Sequence, residues 1–112
     1  MGKQIYDDNG CSVAYAMSII GGKWKIAIIW KLMEKKLRYS ELRAQLNGVT
    51  EGVLSSQLKE LATDGVIKRI TDNVVPLRVE YELTLQGRKL ESALLEIEQW
   101  GAQKRTSTTS VL

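Results

Sequence analysis

The chain has 112 residues, the size of one compact domain, and its 44% hydrophobic and 26% charged residues are ordinary for a folded soluble protein. The absence of histidine excludes His-based catalysis and most zinc sites, and the single cysteine, Cys11, excludes an internal disulfide. The net charge of +3 mildly favours a polyanionic partner.

No stretch has the pattern of a signal peptide. The most apolar window, residues 24–33, is too short to cross a bilayer and is interrupted by Lys25 and Lys31. We expect the ammonium groups of these two lysines to reach solvent. We therefore expect a cytoplasmic protein with no membrane association.

The predicted elements begin with a flexible arm, residues 1–10, which is polar apart from two positions. A short helix over residues 13–20 follows, with Ser12 as its cap, and the pair Gly21-Gly22 ends it. Residues 23–33 are apolar nearly all round, which predicts a central buried helix.

A short extended piece at residues 37–39 precedes two further predicted helices. Ser40 caps the first, residues 41–46, and Thr50 caps the second, residues 51–63. A tight turn, Asn47-Gly48-Val49, joins them. Leucines at positions 54, 58 and 61 predict the inward face of the second helix.

Two strands and a last helix complete the chain. Residues 66–71 and 78–83 predict a hairpin, because the second segment alternates apolar and charged positions cleanly. Thr84 caps a helix over residues 85–104, and the Ser/Thr-rich tail at residues 105–112 is predicted to be disordered.

This order of elements predicts an α+β fold, mainly α: a winged helix-turn-helix domain, in which a braced helix enters the DNA major groove and a hairpin makes a second contact. The helix at residues 51–63 is the predicted reading helix. Its outward face carries Glu51, Gly52, Ser55, Ser56 and Lys59, with Gln57 at the margin. Serine and glutamine can meet base edges, and Lys59 can reach a phosphate or guanine. The alternative is that this face is only the solvated side of an amphipathic helix.

Basic residues flank these elements and can neutralise phosphates. They are Arg38, Arg43, Lys68, Arg69 and Arg78, and the helix caps Ser40 and Thr50 complete the predicted DNA-binding set. Nearby carboxylates at positions 41, 72, 80 and 82 leave open that these charges pair across the surface instead.

The chain resembles the HxlR family of bacterial winged-helix regulators over residues 11–101. Five motifs in register carry the resemblance: Ile20-Gly21-Gly22-Lys23-Trp24, Arg38-Tyr39-Ser40-Glu41-Leu42, Leu58-Lys59-Glu60-Leu61, Asp64-Gly65-Val66-Ile67-Lys68-Arg69 and Pro76-Leu77-Arg78-Val79-Glu80-Tyr81-Glu82-Leu83-Thr84. The resemblance implies that residues 11–104 form an HxlR-type domain and act as a sequence-specific regulator, more often a repressor than an activator.

The resemblance also implies a homodimer on an inverted repeat near a promoter, with contacts made by the first and last helices. The seam would contain Val13, Met17, Leu90, Leu94, Ile97 and Trp100. The alternative is that this apolar stripe packs on its own domain. In a dimer, the two reading helices would lie about 34–36 Å apart, one turn of DNA.

Two positions bear on specificity and signal. Gly52 departs from the family, whose members often carry a basic or amide side chain there, so sequence preferences of relatives do not transfer. Cys11 matches a cysteine that several HxlR-like proteins use to sense oxidants or electrophiles, although Ser12 replaces the usual following proline. A helix N-terminus favours the reactive thiolate. The alternative is a small apolar residue at the interface.

Other classes of function remain as alternatives. A winged-helix module that binds protein instead of DNA would carry an acidic or apolar outward face. An enzyme is excluded by the lack of a phosphate-cradling loop, paired carboxylates or clustered metal ligands, and we expect no cofactor and no metal. A small-molecule signal could occupy a pocket lined by Tyr15, Trp24, Trp30 and Trp100, which otherwise form core.

Overall fold

The computed structural model describes the backbone of residues 10–72 and 78–111 and the side chains of residues 10–71 and 78–107. The predicted arm, apart from residue 10, and the connection at residues 73–77, which holds Pro76, lie outside the described residues. The elements in chain order are α1 (Ser12–Ile20), α2 (Lys23–Glu34), β1 (Leu37–Arg38), α3 (Tyr39–Gln45), α4 (Glu51–Thr63), β2 (Ile67–Asp72), β3 (Arg78–Leu83), α5 (Leu85–Arg88) and α6 (Glu91–Val111).

The α1 helix begins one residue earlier than predicted. Its cap is Cys11, whose Sγ accepts a hydrogen bond from the Ala14 backbone N–H at 3.4 Å, and Ser12 is already helical. Gly21 and Gly22 then bend the chain by 82° into α2. At Gly21 a Cβ would lie 2.3 Å from the Met17 carbonyl oxygen, and Gly22 has φ +98°, so both positions favour glycine.

The predicted central helix is confirmed, since Ile28, Ile29 and Leu32 of α2 are fully buried. The prediction that Lys25 reaches solvent is wrong. Its side chain is only 7% exposed, and its ammonium pairs with Glu60 on α4, 2.5 Å away. The helix can therefore hold a cation on its inward side because a carboxylate from a neighbouring helix compensates the charge.

The predicted helix pair is confirmed as α3 and α4. Thr50 caps α4 as predicted, accepting from the Val53 N–H at 3.2 Å. Ser40 does not cap α3, because the helix begins at Tyr39 and Arg38 takes the cap position. There the Glu41 carboxylate accepts the Arg38 backbone N–H at 2.8 Å, which satisfies a donor before the first turn.

The three strands form one antiparallel sheet in the order β1-β3-β2. The β2–β3 hairpin is the predicted wing, and the short extended piece after α2 is its third strand. Register pairs Ile67 with Leu83 and Arg69 with Tyr81 on one face, and Lys68 with Glu82 on the other. Tyr81 and Leu83 are buried, so the first of these faces is the one packed on the helices.

The last predicted helix is two helices. Lys89 and Leu90 leave the α-helical ladder with N–H bonds to the carbonyls of Gln86 and Gly87, at 3.2 and 3.0 Å, which separates α5 from α6. The α6 helix then continues to Val111 instead of ending at residue 104. The predicted disordered tail contains no glycine or proline, so residues 105–111 can extend the helix.

The core lies where α2, α3 and α4 meet the inner face of the sheet. Its buried side chains are Ile20, Ile28, Ile29, Leu32, Leu37, Leu42, Leu46, Val49, Leu54, Leu58, Leu61, Val66, Ile67, Tyr81, Leu83 and Leu94. Within the described part of the chain, no single helix has the length and apolar character to cross a membrane. The bent α1–α2 pair meets that test only when the two helices are taken together.

Candidate nucleic-acid interface

The turn between α3 and α4 fixes how the second helix is presented. Leu46 and Val49 are buried in the turn, and Gly48 between them has φ +88°, a left-handed conformation that suits glycine. At the other end of α3, the Tyr39 hydroxyl lies 3.3 Å from the Glu51 carbonyl oxygen in the first turn of α4. The N-terminal half of α4 is therefore held by contacts at both ends of α3.

One face of α4 is core and the opposite face is solvent. Leu54, Leu58 and Leu61 are buried, as predicted. Five of the predicted contact positions are exposed: Glu51, Gly52, Ser55, Ser56 and Lys59. Gln57 is half-buried at the margin of this face. The structure thus brings the predicted reading residues together on one outward surface, which we call the reading face.

The basic residues do not all carry available charge. The Arg43 guanidinium lies 3.0 Å from a Glu51 carboxylate oxygen, and the Lys68 ammonium lies 3.2 Å from a Glu82 carboxylate oxygen. Both cations are compensated before any DNA arrives. The surface pairing that the sequence left open therefore holds for these two residues.

Lys59 and Arg69 differ from this pair. Both are exposed, and no carboxylate among the described residues forms an ion pair with either. They line one groove of about 370 Å³ between α4 and the inner face of the wing, together with Tyr39 and Ser55. Arg69 reaches this groove because it lies opposite Tyr81 in the sheet, on the face packed against α4. The groove has room and charge for a phosphate backbone.

The remaining predicted residues frame this surface. Arg38 and Ser40 are exposed at the start of α3, and Thr50 is exposed at the cap of α4. Arg78 is exposed at the first position of β3, directly after the wing residues outside the described part of the chain. Arg38 forms no ion pair within the described residues. In the sheet, Arg78 lies opposite Asp72, whose side chain is outside the described part of the chain.

Sequence reasoning missed Tyr39 and Glu60. Besides the Glu51 carbonyl, the Tyr39 hydroxyl meets the Ser55 Oγ at 3.3 Å, which joins α3 to the reading face. Glu60 lies on the same helix and holds Lys25 of α2. Neither residue can be identified from the hydrophobic periodicity, because each acts through contacts with another element of the fold.

A second set of exposed side chains is apolar and belongs to α1 and α6. Four of the six predicted seam residues are among the exposed large hydrophobic side chains: Val13, Met17, Ile97 and Trp100. Leu94 is instead only 4% exposed and belongs to the core. Leu90 is partly buried and packs against the core. Cys11 is exposed at the cap of α1, two residues before Val13.

The aromatic residues considered as a ligand pocket differ in their exposure. Trp24 and Trp30 are half-buried and pack against the core, and the Lys23 ammonium lies 4.6 Å from the centre of the Trp24 ring. Trp100 is 67% exposed on α6. In the described part of the chain, no three His, Cys, Asp or Glu side chains cluster as a metal site.

A helix pair whose second member exposes polar and cationic side chains beside a hairpin defines a winged helix-turn-helix domain, the kind of domain found in DNA-binding transcriptional regulators. The chain belongs to the HxlR-like helix-turn-helix family, whose sequence model matches residues 19–109. This membership confirms the resemblance drawn from the five motifs.

Individual relatives agree. The chain is 38% identical to the HTH-type transcriptional regulator YybR of Bacillus subtilis (strain 168) over 104 residues, which cover 92% of this chain and 83% of the relative. The reduced form of the redox regulator HypR superposes with a TM-score of 0.83 at 36% identity, covering 88% of this chain and 98% of that one. The reduced form of the regulator YodB from B. subtilis gives 0.74 at 28% identity, covering 83% and 91%.

Proposed function

We propose that this protein is a cytoplasmic, homodimeric repressor that binds an inverted-repeat operator and releases it when an oxidant or electrophile modifies Cys11. The observation that carries the DNA-binding part is the reading face of α4, with the uncompensated Lys59 and Arg69 beside it. The proposed DNA-binding set is Arg38, Ser40, Arg43, Thr50, Glu51, Gly52, Ser55, Ser56, Gln57, Lys59, Lys68, Arg69 and Arg78.

The parts of this set have different roles. Hydroxyl and carboxylate groups on the reading face can meet base edges in the major groove, which is where base pairs are distinguishable. Lys59, Arg69, Arg78 and Arg38 supply the phosphate contacts that position the helix. Arg43 and Lys68 contribute less to phosphate binding, because carboxylates already neutralise them.

The apolar surface on α1 and α6 supports the homodimer. Ile97 and Trp100 are 57% and 67% exposed on a helix of 21 residues, about 30 Å long, so a second copy has a long element against which to pack. Large exposed apolar patches mark association surfaces. We therefore propose Val13, Met17, Ile97 and Trp100 as the seam, with Leu90 at its edge and Leu94 supporting it from the core.

Cys11 supports the sensor. Its thiol is exposed and caps α1, one of the two proposed dimer helices. Oxidation or covalent modification at this cap would change the contacts of α1 and so the spacing of the two reading helices. HypR, a redox regulator of known oxidized and reduced structure, has the same fold at 36–38% identity.

We infer repression because it requires only that the dimer occupies its operator. A dimer that covers a promoter blocks polymerase by occupancy alone, with no further domain required. Release on modification of Cys11 would then switch transcription on.

The experiment is fluorescence-anisotropy binding of the protein to fragments from upstream of its own gene, with a scrambled fragment as control, over a salt series. We expect one fragment to be preferred and log Kd to rise steeply with log salt, since each neutralised phosphate adds about 0.9 to the slope. Equal weak binding to both fragments, or no binding at low salt, would contradict the proposal. The second result would favour a winged-helix module that binds protein.

A further inference from the structure

The Tyr39 hydroxyl contacts the reading face at two points. It lies 3.3 Å from the Glu51 carbonyl oxygen and 3.3 Å from the Ser55 Oγ, and these two atoms are one helical turn apart on α4. Tyr39 itself is half-buried at the start of α3 and lines the groove shared by Lys59 and Arg69. The exposed Ser55 is thus in contact with the hydroxyl of a tyrosine that packs against the core.

A count of protons fixes the direction of both hydrogen bonds. A backbone carbonyl oxygen can only accept, so the contact with Glu51 uses the single proton of the Tyr39 hydroxyl. The Tyr39 oxygen then has only lone pairs for Ser55, and the Ser55 hydroxyl must donate. Ser55 is left with lone pairs and no proton for any further partner. A serine free of such a contact could donate or accept.

This polarity has a consequence in the major groove. Adenine N6 and cytosine N4 are donors there, whereas guanine O6 and thymine O4 are acceptors. A free serine can pair with either kind, but a serine that can only accept pairs with the amines alone. Tyr39 thereby converts an ambiguous side chain into a selective one without touching the base.

We propose that Tyr39 is a positioning residue that makes Ser55 an obligate acceptor, so that the protein prefers adenine or cytosine over guanine or thymine at one position of one strand in each half-site. This rests on the proposed function, since it assigns specificity to the same reading face. It concerns discrimination between bases and leaves the phosphate contacts unchanged.

The test measures Kd for the full-length protein on its operator and on variants carrying each of the four base pairs at every half-site position. For the wild type we expect one position at which amine bases bind about fivefold better than keto bases, as one neutral hydrogen bond allows. Tyr39→Phe should raise affinity for the keto-base operators until the preference there falls below about twofold. Ser55→Ala should remove the same preference by weakening the amine-base operators.

A matched control separates this from a general effect. Tyr15→Phe removes a hydroxyl from an exposed tyrosine on α1, outside the proposed DNA-binding set. It should not alter the preference at the Ser55 position. Tyr39→Phe should also keep the wild-type salt slope, which a tilted or partly unfolded α4 would not.

Two results would overturn the proposal while leaving the proposed function standing: an operator-selective Tyr39→Phe variant with the wild-type preference at every position, or a Ser55-dependent position that prefers guanine or thymine. A wild-type protein that prefers no fragment would instead overturn the proposed function, and this proposal with it. A third result would refute the proposed role of Tyr39 as well: Tyr39→Phe and Ser55→Ala that each lower affinity equally for all four bases.

Discussion

Lys25 of α2 and Glu60 of α4 form an ion pair in which the two partners have unequal access to solvent. The lysine side chain is 7% exposed and the glutamate 47%, with 2.5 Å between Nζ and Oε1. The pair ties the central helix to the reading helix. It also means that the lysine depends on the glutamate far more than the reverse.

Glu60→Ala should therefore lower the free energy of unfolding by about 1–3 kcal/mol, because it leaves a buried ammonium without its partner. Lys25→Met should cost less, since it removes the charge and keeps the apolar stem. Urea unfolding of both variants and of the double variant checks this. The double variant should resemble Lys25→Met, and a Lys25→Met variant as unstable as Glu60→Ala would contradict the argument.

Leu94 and Trp100 lie on the same helix, but substitutions at the two positions should have different effects. Leu94→Ala opens a cavity in the core and should lower the free energy of unfolding by about 2–5 kcal/mol. Trp100→Glu places a charge on the exposed surface and should dissociate the dimer at micromolar protein without loss of helical signal. Light scattering and circular dichroism distinguish the two. Leu85→Ala, at an 85% exposed position, serves as the control for Leu94→Ala and should change stability by less than about 0.5 kcal/mol.

Substitution by alanine should change the stability of the protein in opposite directions at two glycines. At Gly87 a Cβ would lie 2.1 Å from the Val66 carbonyl oxygen, so Gly87→Ala should destabilise the protein by about 1–3 kcal/mol. At Gly52 a Cβ would meet nothing within 4 Å, so Gly52→Ala should stabilise the helix by about 0.5–1 kcal/mol. Thermal unfolding of the two variants gives the comparison, and equal signs would refute it.

Arg69 should account for one phosphate contact. Arg69→Gln is expected to weaken binding to all DNA similarly and to reduce the slope of log Kd against log salt by about 0.9. Lys68→Gln should reduce it less, because Glu82 already compensates Lys68. Lys89→Gln removes the same charge between α5 and α6, outside the proposed DNA-binding set, and should leave the slope unchanged. An unaltered slope in Arg69→Gln would exclude Arg69 from the interface.

Cys11 should be required for a response to oxidants and not for DNA binding. Cys11→Ser keeps an acceptor at the cap of α1, so operator affinity and stability should stay near the wild type. Treatment with diamide or a quinone should release the wild-type protein from DNA and leave Cys11→Ser bound. Equal release of both proteins would show that the signal acts elsewhere, and the reversal of release by dithiothreitol would identify a disulfide.

The helix pair, the wing and the capping role of Thr50 could be predicted because each depends on residues close together in the chain. The leucines at 54, 58 and 61 set the face of α4, and strict alternation set the face of β3. The break between α5 and α6 had no such signal. It is made by the backbone hydrogen bonds of Lys89 and Leu90 to Gln86 and Gly87, where Gly87 also lies close to the Val66 carbonyl, twenty-one residues away along the chain.

The charged residues were harder to interpret than the apolar ones. Arg43, Lys68 and Arg69 look equivalent in the sequence, and only the register of the sheet and the approach of α3 to α4 show which of them already has a carboxylate partner. Lys25 was misplaced for the same reason, since its partner comes from another helix. Periodicity describes one element at a time, whereas compensation of charge is a property of pairs.

Thr84 and Gly87 both converge on one carbonyl. The Thr84 backbone N–H and hydroxyl each lie 3.1 Å from the Val66 oxygen, the same hydroxyl lies 2.6 Å from the Gly65 oxygen, and it accepts from the Gly87 N–H at 3.0 Å. Positions 84 and 87 therefore form a unit that tolerates few substitutions. In a saturation library selected for folding, we expect both to remain nearly invariant while the exposed Leu85 and Gln86 between them vary freely.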